Sequence, residues 1–238
     1  MYVDVHCHLD HELLKVDEVI KRARKAGVKK IITNGVNPRT NRIALELANK
    51  YNEVEAALGI YPDEAGDIDE EINFIRENKI VAIGEIGLDY AEEVDRERQK
   101  SVFEKQLKLA EELKLPVIVH SRKAELDVIE MLEERKLKVI MHCFCGKKNL
   151  VKRVRDNKWY FSIPTNVVRA QNFQQIVSNV PMNQILTETD APFLSPFRGE
   201  VNEPANVVES VKVISRIKEM EQEEVKNMIY YNFQRVFL

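Results

Sequence analysis

At 238 residues, 44% of them hydrophobic, the chain has the size and make-up of an ordinary globular protein with a large core. A formal net charge of −3, from 36 basic and 39 acidic residues, argues against a protein that coats nucleic acid, though not against an enzyme holding it at a local positive patch. No apolar run is long enough to span a bilayer and no basic-then-apolar leader opens the sequence, so a cytoplasmic protein without a membrane partner is expected.

The first extended run is YVDVHCH (2–8). Side chains two apart on a strand share a face, so Asp4, His6 and His8 line one side while Val3, Val5 and Cys7 line the other. Two imidazoles on one rigid face could bind a metal ion; alone, such a pair is more often two half-exposed histidines with bland hydrogen bonds. A stretch of helical periodicity follows over 17–26. Extended runs then recur as KKIITNGV (29–36), VEAALGIY (54–61), KIVAIGEI (79–86) and PVIVH (116–120), and continue with KVIMHCF (138–144), KWYFSIP (158–164) and QILTETD (184–190). Helical stretches such as 95–113 and 123–135 lie between them, and one long helical stretch over 205–232 closes the chain. Eight strands alternating with eight helical segments imply βαβ units and a parallel sheet. The expected fold is an α/β single-domain (β/α)8 TIM barrel over 1–238, with a doubly wound open sheet as the alternative. No G-x-G-x-x-G follows the first strand, which counts against the dinucleotide-binding version of the latter.

The polar residues that interrupt these strands fall at their C-terminal ends, where barrel enzymes assemble active sites. They are His6 and His8 on the first strand, Glu85 on the fourth, His120 on the fifth, His142 on the sixth and Asp190 on the eighth. By parity each ends an inward-facing line, and Gly84 and Gly87 beside Glu85 leave room for close backbone approach. Taken singly, His120 or His142 reads as a satisfied core histidine, Glu85 as a cap and Asp190 as a turn residue. Together, four imidazoles and two carboxylates in a barrel mouth are costly to bury unless metal-bound. Six N/O ligands exceed one tetrahedral site and suit two divalent ions sharing a carboxylate, an arrangement made for hydrolysis. Mg, Mn, Zn and Co all remain open. His11 lies past the strand and reads as a solvent-exposed loop residue. Cys7 and Cys143 read as small packing residues, and Cys143 and Cys145 are too close together for the usual zinc-binding cysteine spacing.

The segments VDVHCHLD, GEIGLDY, KLPVIVHSR, HCFCG, TETDAPFL and RGEVNEPANV resemble, in order, the signature blocks of the TatD-related metal-dependent deoxyribonucleases of the amidohydrolase superfamily. The resemblance implies one metal on His6, His8 and Asp190, the other on His120 and His142, with Glu85 bridging. It also implies hydrolysis of DNA phosphodiesters, often from a 3′ end. The chain departs from the family pattern at GIYP, where Tyr61 replaces the histidine of G-x-H-P, at Cys145, where serine is common, and at Glu200-Val201, where a basic pair is usual. The stretch AEEVDRER after GLDY is short and acidic.

Basic residues placed to meet a phosphate are Arg122, Lys147 and Arg198, with the two arginines preferred because a guanidinium binds phosphate through two parallel hydrogen bonds. The expectation is therefore a metal-dependent exonuclease acting on DNA through metal-bound hydroxide, with Asp190 orienting the water and taking its proton. Two alternatives stand beside it: an amidohydrolase-type enzyme for a small amide, lactone or phosphoester, and a non-enzymatic metal-binding protein.

Overall fold

Short runs rich in Val, Ile and Ala form eight strands, β1 (Tyr2–Cys7), β2 (Val28–Asn34), β3 (Val54–Leu58), β4 (Ala82–Gly87), β5 (Val117–His120), β6 (Val139–His142), β7 (Tyr160–Pro164) and β8 (Ile185–Glu188). The computed structural model describes residues 1–64, 66–91 and 95–238, so part of the acidic AEEVDRER stretch lies outside the described residues. The strands make one sheet in sequence order, each neighbouring pair parallel. Each crossover carries a helix with one apolar stripe: α1 (Val16–Ala26), α2 (Pro38–Lys50), α3 (Ile68–Glu77), α4 (Arg96–Leu113), α5 (Glu125–Glu133), α6 (Lys148–Asp156) and α7 (Gln171–Asn179). Helices α8 (Val207–Lys218) and α9 (Gln222–Phe237) complete the outer ring. This is a (β/α)8 TIM barrel, as the alternation predicts. Among the described residues no helix is long and apolar enough to cross a membrane.

The barrel closes where β8 meets β1, through specific hydrogen bonds. The Thr187 hydroxyl donates to the Val3 carbonyl at 2.7 Å, and the Asp190 N–H to the His6 carbonyl at 2.9 Å. Asp4, fully buried, accepts the Thr189 N–H at 2.9 Å and the Thr189 hydroxyl. Burial pushes the Asp4 carboxyl well above the usual carboxylate range, although the Thr189 and His6 donors pull the other way. Asp4 thus staples the seam.

Two expectations need correction. The closing helical stretch is two helices, because Glu219 turns left-handed (φ 54°) and the Ser215 hydroxyl donates to the Met220 carbonyl at 2.6 Å. That gives nine α-helices among the described residues. Several strands also stop earlier than alternation suggests: β1 ends at Cys7 and β8 at Glu188. His8 and Asp190 therefore lie just beyond the strand ends, Asp190 with φ 55°.

Candidate metal centre

Glycines let the strand ends come close. A Cβ on Gly87, whose φ is +142°, would lie 2.0 Å from the His120 carbonyl oxygen, and one on Gly84 would lie 2.7 Å from Ile118 Cβ. Between them the ladder slips: Ile83 pairs with Val117 but Ile86 with Val119, so β4 spends an extra residue there. That extra residue interrupts the strict alternation of β4 beside Glu85, whose carboxylate lies among the histidines.

The Glu85 carboxylate straddles two groups. Its Oε2 is 3.4 Å from His6 Nε2 and 3.5 Å from His8 Nε2. Its Oε1 is 2.9 Å from His120 Nδ1 and 3.9 Å from His142 Nε2. Asp190 Oδ1 completes the first group, 3.6 Å from His6 Nε2 and 3.5 Å from His8 Nε2, which are 3.3 Å apart. All six residues predicted as ligands are thus gathered in one place.

The chemistry of this donor set fits divalent cations. A tetrahedron of ligands about 2.0–2.2 Å from a metal has edges of about 3.3–3.6 Å. Five of the six separations among the His6, His8, Glu85 and Asp190 donor atoms run from 3.3 to 3.6 Å. In the second group the Glu85, His120 and His142 donor atoms lie within 4.8 Å of one another. His6 Nδ1 is buried without a hydrogen-bond partner among the described residues, so the ring is held by packing and by what surrounds Nε2.

Outer partners orient the imidazoles. Glu188 Oε2 is 2.8 Å from His142 Nδ1 and its Oε1 accepts the Cys143 N–H at 3.0 Å, which fixes the ring with Nε2 toward Glu85. Burial raises the Glu188 carboxyl to about 8. A third buried group, His6, His142 and Glu188, is close enough for a metal, but both Glu188 oxygens are already hydrogen-bonded. Asp89 Oδ2 lies 3.0 Å from His120 Nε2, leaving Nδ1 to face Glu85. The same Asp89 oxygen accepts the Tyr61 hydroxyl at 2.9 Å.

The charges divide cleanly. Burial would raise Glu85, but the surrounding histidines hold it well below the usual range; Asp190 is lowered in the same way, chiefly through His8. Burial keeps His6 and His142 neutral, consistent with their stacking at 3.7 Å between ring centroids. Burial also opposes charge on His8 and His120, yet Asp190 and Glu85 lift His8 to about 9, and Asp89 and Glu85 lift His120 to about 9. Burial and the neighbouring Glu85 and Asp89 raise the Tyr61 phenol, which keeps its proton.

Above these residues opens a cavity of about 520 Å³ whose rim includes Arg122 and Arg39. Arg122 is exposed and makes no ion pair among the described residues. Arg198 is exposed on the loop after β8 and does not line this cavity; Lys147 lines the clefts beside α6 instead. His11 also lines the rim, its ring edge-on to the exposed Phe193. Cys7 is buried, as its parity predicts. Cys143 is half-buried with φ 43°, packs against the core and contributes its amide to Glu188, while Cys145 is exposed.

A family model for TatD-related DNases matches residues 3–238. The chain belongs to that family. This TatD-family chain is 39% identical to an uncharacterized metal-dependent hydrolase of Methanocaldococcus jannaschii, covering 99% of itself and 96% of that relative. It is 31% identical to the human deoxyribonuclease TATDN3, covering 99% and 94% of the two chains. The crystal structure of YjjV, a TatD homolog from Escherichia coli, matches it with a TM-score of 0.91 at 30% identity, over 99% of this chain and 97% of that one. The protein is a TatD-family metal-dependent hydrolase. Reading the sequence for this family missed Asp89 and Glu188 as orienting carboxylates and Arg39 as a rim cation. A signal existed for two of them. The alternation that points Asp190 inward also points Glu188 inward, and Asp89 stands in the quoted GEIGLDY block.

Proposed function

We propose that this protein hydrolyses phosphodiester bonds in DNA, acting as an exonuclease with two divalent cations. His6, His8 and Asp190 would hold one cation, His120 and His142 the other, with Glu85 shared. The observation that carries this reading is Glu85 itself, one oxygen turned to each group of donors beneath an open cavity. Bound cations supply Lewis acidity toward a phosphoryl oxygen and lower the pKa of water.

This chain's own residues do the rest. Arg122 grips the phosphoryl oxygens through parallel N–H donors, orienting the diester over the cavity and offsetting its charge. Arg198 contacts the substrate farther out along the loop after β8. Asp190 orients the attacking water and accepts its proton at the carboxylate; its side chain is 15% exposed against 4% for Glu85, so it is the cage carboxylate that water can reach. Glu188 and Asp89 orient the His142 and His120 rings so that Nε2 of the one and Nδ1 of the other face Glu85. The name of human TATDN3, a deoxyribonuclease related along nearly the whole chain, supports DNA as the substrate. The cytoplasm is the expected compartment.

The deciding experiment incubates metal-loaded protein with end-labelled DNA, a dinucleotide, and a panel of amide and lactone substrates. Stepwise shortening of DNA from one end is expected. Turnover of an acyl compound with DNA left intact would transfer the same cage to the amidohydrolase-type alternative.

A further inference from the structure

The protein as a whole is acidic, yet one short segment is not. Residues 147–158, KKNLVKRVRDNK, hold six basic side chains and one acidic one. Helix α6 occupies most of this segment, and the facing helix α7, QNFQQIVSN, carries no charged residue. Between them runs a cleft of about 470 Å³, close in size to the cavity over the metal centre. Lys147, Lys148, Lys152 and Arg155 line one side of it and amide side chains of α7 such as Asn172 and Gln175 line the other; no carboxylate is among its described lining residues.

Other seams between outer helices look different. Lys105 on α4 meets Asp69 on α3 at 2.6 Å, Arg135 beyond α5 meets Glu111 on α4 at 2.7 Å, and Arg153 on α6 meets Glu133 on α5. Each of these seams is neutralised by a pair across it. In the α6–α7 cleft, Lys152 and Arg155 share the single carboxylate of Asp156, at 2.6 and 3.1 Å, while Lys147 and Lys148 make no ion pair among the described residues. Four cations against one carboxylate leave three charges uncompensated. An ordinary solvated helix face has no need of that.

We propose that the α6–α7 cleft binds the sugar–phosphate backbone of the DNA strand away from the bond being cut. This extends the deoxyribonuclease reading above and rests on it. The cleft begins at Lys147, five residues after His142, so its mouth is within about 17 Å of the metal centre along the chain. From Lys147 to Arg155 the helix rises about 12 Å, enough to follow about two to three successive phosphates of a strand. Lysines and amides suit a backbone read without regard to sequence.

The test compares wild type with the triple variant Lys148→Gln/Lys152→Gln/Arg155→Gln. These side chains are exposed or half-exposed, and Asp156, left without partners, stays in solvent. Two measurements separate the possibilities. One is the salt dependence of binding to a fluorescent 12-nucleotide phosphorothioate strand, which resists cleavage. The other is KM on unmodified 12-nucleotide DNA and on bis(p-nitrophenyl) phosphate, which is too small to reach the cleft. Each lost phosphate contact removes about 0.7 from the slope of log K against log salt, so a fall of about 2 is expected. KM for DNA should rise about tenfold or more at low salt, with KM and kcat for the small diester unchanged. An unaltered slope and DNA KM, or a wild type that does not bind the strand, overturns the cleft. A wild type that binds with the steep slope and loses it in the variant, yet cleaves no DNA, upholds the cleft and overturns the nuclease reading instead.

Discussion

Asp190 combines two demands at one carboxylate: it completes the first group of donors and it meets solvent. Asparagine there keeps the shape and one acceptor oxygen while removing the charge and the capacity to take a proton. Asp190→Asn is expected to lower kcat by a factor of about 10²–10⁴ on metal-replete protein, with the melting temperature nearly unchanged. A variant that keeps activity within about tenfold of wild type would move the proton to another group. The arginines can be ranked in the same assay. Arg122 lines the cavity without an ion pair and Arg198 lies outside it, so Arg122→Ala should raise KM for DNA by the worth of a charge-assisted contact, about 1.5–3 kcal/mol or about 10–150-fold. Arg198→Ala should raise it less; the opposite order would reassign the anchor. The six cage residues were legible because histidine and carboxylate at strand ends are rare and their parity agrees. Asp89 stands in the GEIGLDY block, but its role could not be read there, because its partner His120 lies 31 positions away and only tertiary structure brings the two together.

At the scale of elements, the alternation of strands and helices could be read directly, since period two and period 3.6 are written in the apolar residues. Their ends were harder. His8 continues the alternation of β1 and Asp190 that of β8, but the backbone has already turned, with Asp190 left-handed to let its amide reach the His6 carbonyl. Asp4 was visible on the histidine face, whereas its bond to Thr189 arises only when the sheet closes. That bond makes a prediction about the seam. Asp4→Ala leaves the His6 and Thr189 donors buried without an acceptor and is expected to cost about 2–5 kcal/mol in chemical denaturation. Asp4→Asn retains an acceptor oxygen for the His6 and Thr189 N–H donors, so it should cost much less. Equal losses for both variants would show that an acceptor for these donors is not what holds the seam.

Across the whole molecule, the cage confines two carboxylates and four imidazoles within the barrel mouth, and a cation that binds only the folded form must stabilise it. At a free-ion level about 100 times Kd the gain is about 2.7 kcal/mol per site, which for a chain of this length corresponds to a rise in Tm of about 5–11 °C. Elemental analysis of the reloaded protein should return about two ions per chain. One ion or none under every loading condition, with Tm indifferent to chelator, contradicts the shared-carboxylate centre.

The seam between β8 and β1 also sets a clock. The first cluster of donors needs His6 and His8 from the start of the chain and Asp190 from near its end, 182 residues later. At about 5–20 residues per second of synthesis, the histidines wait about 10–35 s for their carboxylate. Until then β1 has no β8 to close against. A chain halted on the ribosome at residue 180 should show no cleavage of DNA, and cleavage by such a stalled chain would break the link. The donor cluster of His6, His8 and Asp190 therefore comes into being only with the last strand.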